Sequence, residues 1–256
     1  VERADAAEYG AVRLDGDAVT EITEKPGGGG YALLNVGVYA LCPSIFEVLE
    51  DAATSDGEFP LTDAIDRALD RGGRVRGVTH DGRWTDVAYP WDLLELGADL
   101  LGAGTGVFVA DGAAVHDDAT LYPPVVVDAD AVVEPGAVVG PNVALGPNTT
   151  VAANATLRQC IVDEDSRIGA GATLVESVTG TGVTVGAGVT VPAGPADVRV
   201  GTTVHVDEHL GAVIADRATV GGGATVTPGT LVGSGATIEP GTVVHRNVAA
   251  DSGVSR

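Results

Sequence analysis

The sequence predicts a small α/β region followed by a parallel β-helix. The β-helix rests on a strict period, because an aliphatic residue returns at every sixth position from Val109 to Val151. A period of six fits neither an α-helix, at about 3.6 residues, nor an ordinary strand, at about 2. Three six-residue units instead close a triangular coil that points its aliphatic residues inward. A β-sandwich with fortuitous spacing is the alternative.

The β-helix is predicted over residues 107–248, with a tail at residues 249–256. One residue is missing from the period between Leu157 and Val162, and another between Leu174 and Val185. The period breaks at residues 192–213, then resumes for two further coils. Gly, Asn and Asp recur between the units, as the turns of a coil require, because these residues tolerate a positive φ.

The α/β region is predicted over residues 1–101, with a glycine-rich hinge at residues 102–106. Alternating or continuous apolar residues predict its strands, and apolar residues at helical spacing predict its helices. Ser44 and Thr62 are the expected helix caps. The predicted strands are 11–14, 18–23, 31–41 and 74–79, and the predicted helices are 44–53, 61–71 and 91–101.

The charge of the chain limits its partners. Thirty-six acidic residues oppose 14 basic ones, for a net charge of −22. Such a surface repels nucleic acid and anionic membranes. Acid excess with a single lysine resembles the proteins of extreme halophiles. The cysteines, Cys42 and Cys160, lack metal-binding spacing, so we expect buried thiols in a reducing cytoplasm.

Lys25 is the only lysine of the chain. It lies in Glu24-Lys25-Pro26, between a predicted strand and four glycines. A compact ammonium group suits a phosphate contact that a planar guanidinium does not fill. Chance retention on a loop is the alternative.

Several motifs of residues 7–101 occur in the order and spacing of a known enzyme family. They are Glu24-Lys25-Pro26, Asn35-Val36-Gly37-Val38-Tyr39, Glu58 with Leu61-Thr62-Asp63, and Trp84-Thr85-Asp86-Val87 ahead of Trp91-Asp92-Leu93-Leu94. In these motifs the chain resembles the sugar-1-phosphate nucleotidylyltransferases: the glucose-1-phosphate thymidylyl- and uridylyltransferases and the archaeal N-acetylglucosamine-1-phosphate uridylyltransferases. The resemblance implies that residues 1–101 are the C-terminal part of a Rossmann-like nucleotidyltransferase domain. It also implies a left-handed β-helix.

The resemblance implies a role for each matching residue. Glu24 and Asn35 would bind the sugar, with Gly37 admitting the backbone. Lys25 would contact the sugar phosphate, and Asp86 would hold Mg²⁺. Trp84 and Trp91 are expected to be packing residues. The expected reaction joins a nucleoside triphosphate and a sugar 1-phosphate into a nucleotide-sugar and pyrophosphate.

The family's glycine-rich triphosphate loop and its second metal-binding Asp are missing ahead of these motifs. We therefore expect an N-terminally truncated, inactive fragment whose sugar side alone is kept. Base and sugar are left open. A non-catalytic regulatory or scaffold subunit is one alternative.

The other alternative is a bifunctional enzyme that also acetylates glucosamine 1-phosphate with acetyl-CoA in the β-helix. His205 and His209 lie in the break of the period, where a histidine near an amine could act as a general base. Archaeal relatives have Lys in place of His209 and Asn in place of Gly223. Flat walls and open ends of the β-helix also predict a homotrimer or a multiple of it.

Overall fold

The computed structural model describes residues 9–24, 33–50, 61–104 and 106–255. The chain divides into two compact units, Val1–Thr85 and Asp86–Arg256. The predicted hinge at residues 102–106 therefore lies inside the second unit. The reason is that the helix before the hinge packs against strands of the β-helix, so its contacts join it to that unit.

The first unit contains a three-stranded antiparallel sheet and two helices. Its elements are β1 (Gly10–Asp15), β2 (Ala18–Glu24), β3 (Leu33–Leu34), α1 (Ile45–Glu50) and α2 (Leu61–Asp70). The strand order is β2-β1-β3. β1 and β2 form the predicted hairpin around Gly16, whose φ is +63°. Val19, Ile22 and Ile65 form the buried core between β2 and α2.

Two predicted strands of the first unit are largely wrong. Of the described part of residues 31–41, only Leu33 and Leu34 pair with β1. The chain then turns at Gly37, with φ +77°, and Val38 is 84% exposed. In residues 74–79 only Arg76 forms a bridge, with Ala18. Apolar runs predicted strands here, but no neighbouring strand in the described residues pairs with most of their length.

The caps and the cysteines also differ in part from the prediction. Thr62 lies inside α2, buried, and its hydroxyl has no hydrogen-bond partner in the described part of the chain. Ser44 directly precedes α1, but the end predicted for that helix, at residues 51–53, lies outside the described residues. Cys42 is exposed, against expectation. Cys160 is buried, and burial raises the pKa of its thiol to about 12.

The second unit begins with α3 (Asp92–Ala103) and continues as a β-helix. Its strands before the break are β4 (Val107–Val109), β5 (Ala114–Val115), β6 (Thr120–Leu121), β7 (Val125–Val127), β8 (Val132–Val133), β9 (Val138–Val139), β10 (Val143–Leu145), β11 (Thr150–Val151), β12 (Thr156–Arg158), β13 (Cys160–Val162), β14 (Arg167–Ile168), β15 (Thr173–Val175), β16 (Val178–Thr179), β17 (Thr184–Val185) and β18 (Thr190–Val191). After β19 (Gly194–Val200) and β20 (Thr203–Leu210) come β21 (Ala212–Ile214), β22 (Thr219–Val220), β23 (Thr225–Val226), β24 (Thr230–Val232), β25 (Thr237–Ile238), β26 (Val243–Val244) and β27 (Gly253–Val254).

These strands form three parallel sheets, which close a left-handed β-helix and confirm the predicted fold class. The first sheet runs β4-β7-β10-β13-β16-β21-β24 and the second β5-β8-β11-β14-β17-β22-β25-β27. The third runs β6-β9-β12-β15-β18-β23-β26. The periodic aliphatic residues fill the interior, as Val133, Val139 and Val151 show at 1% exposure or less. At the first coil Val109 is 42% exposed.

The two shortened coils are where the sequence predicts them. Val143 pairs with Cys160 and Ile161 with Val178, so each of these coils has 17 residues. Val125 pairs with Val143 in an 18-residue coil. The chain makes the shorter corners through single residues with positive φ.

The predicted break contains an antiparallel hairpin of β19 and β20, which turns at Gly201. The β-helix resumes at β21 as predicted. Residues 249–256 were expected to be a tail, yet β27 pairs with β25. Asp251 supplies the corner before β27, with φ +53° and a backbone hydrogen bond from its N–H to the Ser234 carbonyl.

The outer faces of the sheets differ. On the first sheet every middle residue is apolar: Phe108, Val126, Ala144, Ile161, Val178, Val213 and Leu231. α3 packs on this face, because Gly97 brings its backbone close to Ile161. Trp91 joins Val198 of β19, Leu210 of β20 and Val213 in one buried cluster. The hairpin and α3 therefore cover the same wall.

Candidate functional site

Glu24 and Asn35 converge at one end of the sheet in the first unit. Glu24 ends β2 and pairs with Gly10, and Asn35 directly follows β3. A Cβ on Gly10 would lie 3.3 Å from both Glu24 Oε2 and Asn35 Nδ2. The absence of a side chain at Gly10 therefore lets these two polar groups approach each other.

The amide group of Asn35 is already bonded within the protein. Its Oδ1 accepts a hydrogen bond from the Gly37 N–H at 3.2 Å, and its Nδ2 donates to the Tyr39 hydroxyl. Its backbone N–H donates to the Gly10 carbonyl at 2.7 Å. Glycine is required at position 37, because the backbone has a positive φ at this turn. Sequence reasoning quoted Tyr39 in the motif but gave it no role.

Lys25 and Asp86 are the other residues predicted for the nucleotidyl-transfer site. Lys25 lies outside the described residues. Asp86 is exposed at the start of the second unit and forms no hydrogen bond or ion pair with the described part of the chain. Among the described residues no three His, Cys, Asp or Glu side chains gather into a metal site. One exposed carboxylate suits Mg²⁺, which takes most of its ligands from water and phosphate.

The two tryptophans are packing residues in the structure. Trp84 meets Tyr9 edge to face at 5.4 Å within the first unit. Trp91 stacks on Tyr89 at 4.6 Å in the second unit. The Asp92 carboxylate accepts hydrogen bonds from the Ala88 and Tyr89 N–H groups, which fixes the segment that carries this stack.

His205 belongs to this aromatic cluster. Its ring lies 4.3 Å from Tyr89 and 5.6 Å from Trp91, between ring centroids. Its Nε2 is buried and has no hydrogen-bond partner among the described residues. This arrangement holds the hairpin against the wall of the β-helix and keeps Nε2 away from a substrate.

His209 stands in a different setting near the end of β20. Its Nδ1 lies 2.6 Å from Glu176 Oε2. The His209 side chain is 60% exposed and that of Glu176 is 18% exposed. A carboxylate on Nδ1 fixes the orientation and tautomer of a histidine and leaves Nε2 as the free nitrogen.

A tight corner brings the partners of this pair together. Glu176 occupies the second shortened corner, and its carbonyl accepts a hydrogen bond from the Gly211 N–H at 2.7 Å. A Cβ on Gly211 would lie 2.1 Å from the Val175 carbonyl oxygen, so only glycine fits. The sequence analysis did not identify Glu176. Its signal in the sequence is the residue that is missing from the six-residue period between Leu174 and Val185, which marks a shortened corner.

Comparison with known sequences finds relatives over part of the chain. Residues 121–211 match the model of a family described as GMPPB C-terminal domain. The bifunctional protein GlmU of Methanocaldococcus jannaschii is 40% identical over 95 residues, which cover 36% of this chain and 23% of the relative. A bifunctional sugar-1-phosphate nucleotidylyltransferase/acetyltransferase of Sulfurisphaera tokodaii is 34% identical over 91 residues, covering 35% and 22%.

A low-salt glycan biosynthesis nucleotidyltransferase of Haloferax volcanii is 32% identical over 90 residues, covering 34% of this chain and 25% of the relative. Each match thus spans a quarter or less of the relative's length. None of the helices in the described residues is long and apolar enough to cross a membrane.

Among solved structures, a perosamine N-acetyltransferase mutant from Caulobacter crescentus, in complex with CoA and GDP-perosamine, matches 63% of this chain and 60% of its own, with 17% identity and a TM-score of 0.29. A mutant of AntD, an N-acyltransferase from Bacillus cereus, matches 59% and 79%, with 11% identity and a TM-score of 0.38. In sequence, the chain is similar to bifunctional sugar-1-phosphate nucleotidylyltransferase/acetyltransferases over about a third of its length.

Proposed function

We propose that this chain is part of a bifunctional enzyme of nucleotide-sugar biosynthesis, and that its β-helix transfers an acetyl group from acetyl-CoA to glucosamine 1-phosphate. The observation that carries the proposal is the His209–Glu176 pair. An exposed imidazole held at Nδ1 by a mostly buried carboxylate has the arrangement of a general base. The names of the partial relatives support the same class of substrates.

The amine of the acceptor attacks the thioester carbonyl carbon, and His209 Nε2 takes the proton that the amine loses. The new C–N bond forms as the C–S bond breaks. The thiolate of CoA leaves and receives the proton from His209. Glu176 acts as a positioning residue, because its carboxylate contacts the histidine and not the reacting atoms, and it stabilises the imidazolium that forms.

The test is thiol release from acetyl-CoA in the presence of glucosamine 1-phosphate. His209→Ala should lower kcat by about a hundredfold or more, as removal of a general base does. Glu176→Ala should lower kcat with little effect on KM, and Glu176→Gln should recover part of the loss because it keeps a hydrogen-bond acceptor.

His116→Ala is the matched control, since His116 is also an exposed histidine close to a carboxylate, that of Asp118, at 3.7 Å. It should behave as wild type. Wild-type kcat in His209→Ala would remove this base from the mechanism. No thiol release by the wild-type chain in about 2 M KCl would instead favour the scaffold alternative.

Nucleotidyl transfer is the second candidate, and the convergence of Glu24 and Asn35 beside Gly10 favours it. Lys25 on the sugar phosphate and Asp86 on Mg²⁺ remain the proposed roles. In a longer chain that carries the triphosphate-binding motifs, Lys25→Ala should lower the rate of pyrophosphate release roughly ten- to hundredfold, for a charge-assisted contact of about 1.5–3 kcal/mol.

Asp86→Asn in the same longer chain should raise the Mg²⁺ concentration needed for activity and leave the melting temperature unchanged, because the side chain is exposed. The 256-residue chain alone should release no pyrophosphate. Wild-type rates in Lys25→Ala, or pyrophosphate release by the 256-residue chain, would contradict these assignments.

A further inference from the structure

Two corners of the β-helix hold long side chains in a backbone conformation that disfavours them. Gln159 has φ +49° and Glu176 has φ +47°. In the left-handed region the Cβ of an L-residue crowds the following carbonyl, and only Gly, Asn and Asp adopt it routinely. Of the ten described non-glycine residues with positive φ, seven are Asn or Asp, and Arg217 is the only other exception.

The two corners are neighbours in one column. The Glu176 N–H donates to the carbonyl of Arg158, the residue before Gln159, at 2.9 Å. Successive coils are spaced by about 4.8 Å, so the two side chains start one strand spacing apart. Backbone strain that persists in a structure points to a functional use of the strained residue. Glu176 has such a use in its contact with His209.

Gln159 has no comparable structural task. Its side chain is exposed and makes no hydrogen bond within the described residues, whereas its backbone N–H donates to the Pro141 carbonyl at 2.9 Å. Asparagine would make the same corner at lower cost, as Asn142 does with φ +57° in the same column. The longer side chain of Gln159 therefore indicates a use for the amide group at its end.

We infer that Gln159 is a binding residue for the amino-sugar acceptor and that its amide pairs with a sugar hydroxyl while His209 receives the proton of the amine. The inference rests on the proposed acetyl transfer. A neutral amide both donates and accepts, which suits a hydroxyl group better than a phosphate. The corners of the two shortened coils thus place Gln159 about one strand spacing from Glu176, which contacts His209.

The test compares two substitutions that relieve the same strain. Gln159→Asn and Arg217→Asn each place a residue that tolerates positive φ, so both should keep or raise the melting temperature. Only Gln159→Asn should raise the KM for glucosamine 1-phosphate, by about three- to tenfold for one neutral hydrogen bond. Its kcat and its KM for acetyl-CoA should stay near wild type.

A wild-type KM for glucosamine 1-phosphate in Gln159→Asn would overturn the inference and leave acetyl transfer intact. An equal rise of that KM in Arg217→Asn would also overturn it, because the effect would then come from the backbone. If the wild-type chain releases no thiol with this acceptor, the proposed function fails, and the role of Gln159 fails with it.

Discussion

The first and second sheets of the β-helix have the same interior and opposite exteriors. Inward residues are mostly aliphatic in both, with Cys160, Thr179 and Thr230 as exceptions in the first sheet. The outward row of the first sheet is apolar and lies under α3 and the hairpin. Four of the eight outward residues of the second sheet are threonines, and one is an arginine, Arg167; the threonines are Thr150, Thr184, Thr219 and Thr237. The same six-residue repeat thus forms one outer face that is apolar and covered by other elements, and one outer face that is more polar.

The difference explains where the candidate chemistry lies. Segments that leave the repeat settle on the apolar wall, because burial of apolar surface is the main gain available to them. The hairpin therefore packs there and places His209 against the corner that holds Glu176. A threonine wall would have offered the hairpin little to bury.

The sharpest test of this comparison is a matched pair of aspartates. Ile161→Asp should lower the free energy of unfolding by about 3 kcal/mol or more, since it removes an aliphatic contact with α3 and places a carboxylate under a helix. Thr184→Asp, at an exposed position of the second sheet, should cost less than about 0.5 kcal/mol. Denaturant unfolding of both variants in high salt measures the difference. Equal losses would show that the walls are equivalent.

The aromatic anchor of the hairpin gives the next effect. Trp91→Ala should cost about 3 kcal/mol, because Trp91 is buried against Val198, Leu210 and Val213. It should also lower the rate of acetyl transfer, since the strand that carries His209 loses its support. Trp84→Ala, a change in the first unit, serves as the control for the rate. A normal rate in Trp91→Ala would show that the hairpin keeps its place without the anchor.

Salt should stabilise the protein by screening its charge. The chain has a net charge of −22, so its acidic side chains repel one another. Screening shortens the range of repulsion to about 3 Å at 1 M salt. We therefore expect the melting temperature to rise from about 0.1 M to about 2 M KCl, as in a halophilic protein. A flat profile would contradict that prediction.

The threonine wall is also the candidate subunit contact. Its four threonines carry no charge, so a homotrimer that forms on it would bury no acid at these positions. Light scattering in about 2 M KCl should give a trimer or a multiple of it. Thr219→Arg should lower the mass while changing monomer stability by less than about 0.5 kcal/mol. A monomeric wild type would exclude this role for the wall.

The sequence predicts the β-helix well because its determinants are local and repeated. Each coil repeats the same spacing, so the interior, the two 17-residue coils and the position of the break at residues 192–213 all follow from counting residues. The outer wall has no clear signal in the first coils, since an apolar residue precedes the periodic one at Phe108, Val126 and Ala144 but also at Val132 and Val138 on the other two sheets. Which outer face is covered therefore does not follow from the spacing.

The first unit shows the limit of the same reasoning. Residues 31–41 have the composition of a strand, but pairing requires a partner strand, and only Leu33 and Leu34 find one among the described residues. Composition likewise failed to distinguish exposed Cys42 from buried Cys160.

By itself the sequence determined which residues face the interior of the β-helix, because that choice is fixed by spacing along the chain. Only the tertiary structure separated His205 from His209. Both lie on β20 and have the same chemistry, yet His205 packs at an angle against the stacked rings of Tyr89 and Trp91, and His209 contacts Glu176. Glu176 precedes His209 by 33 residues. A contact over that distance depends on how the coils stack and how the hairpin folds back, which no local pattern encodes.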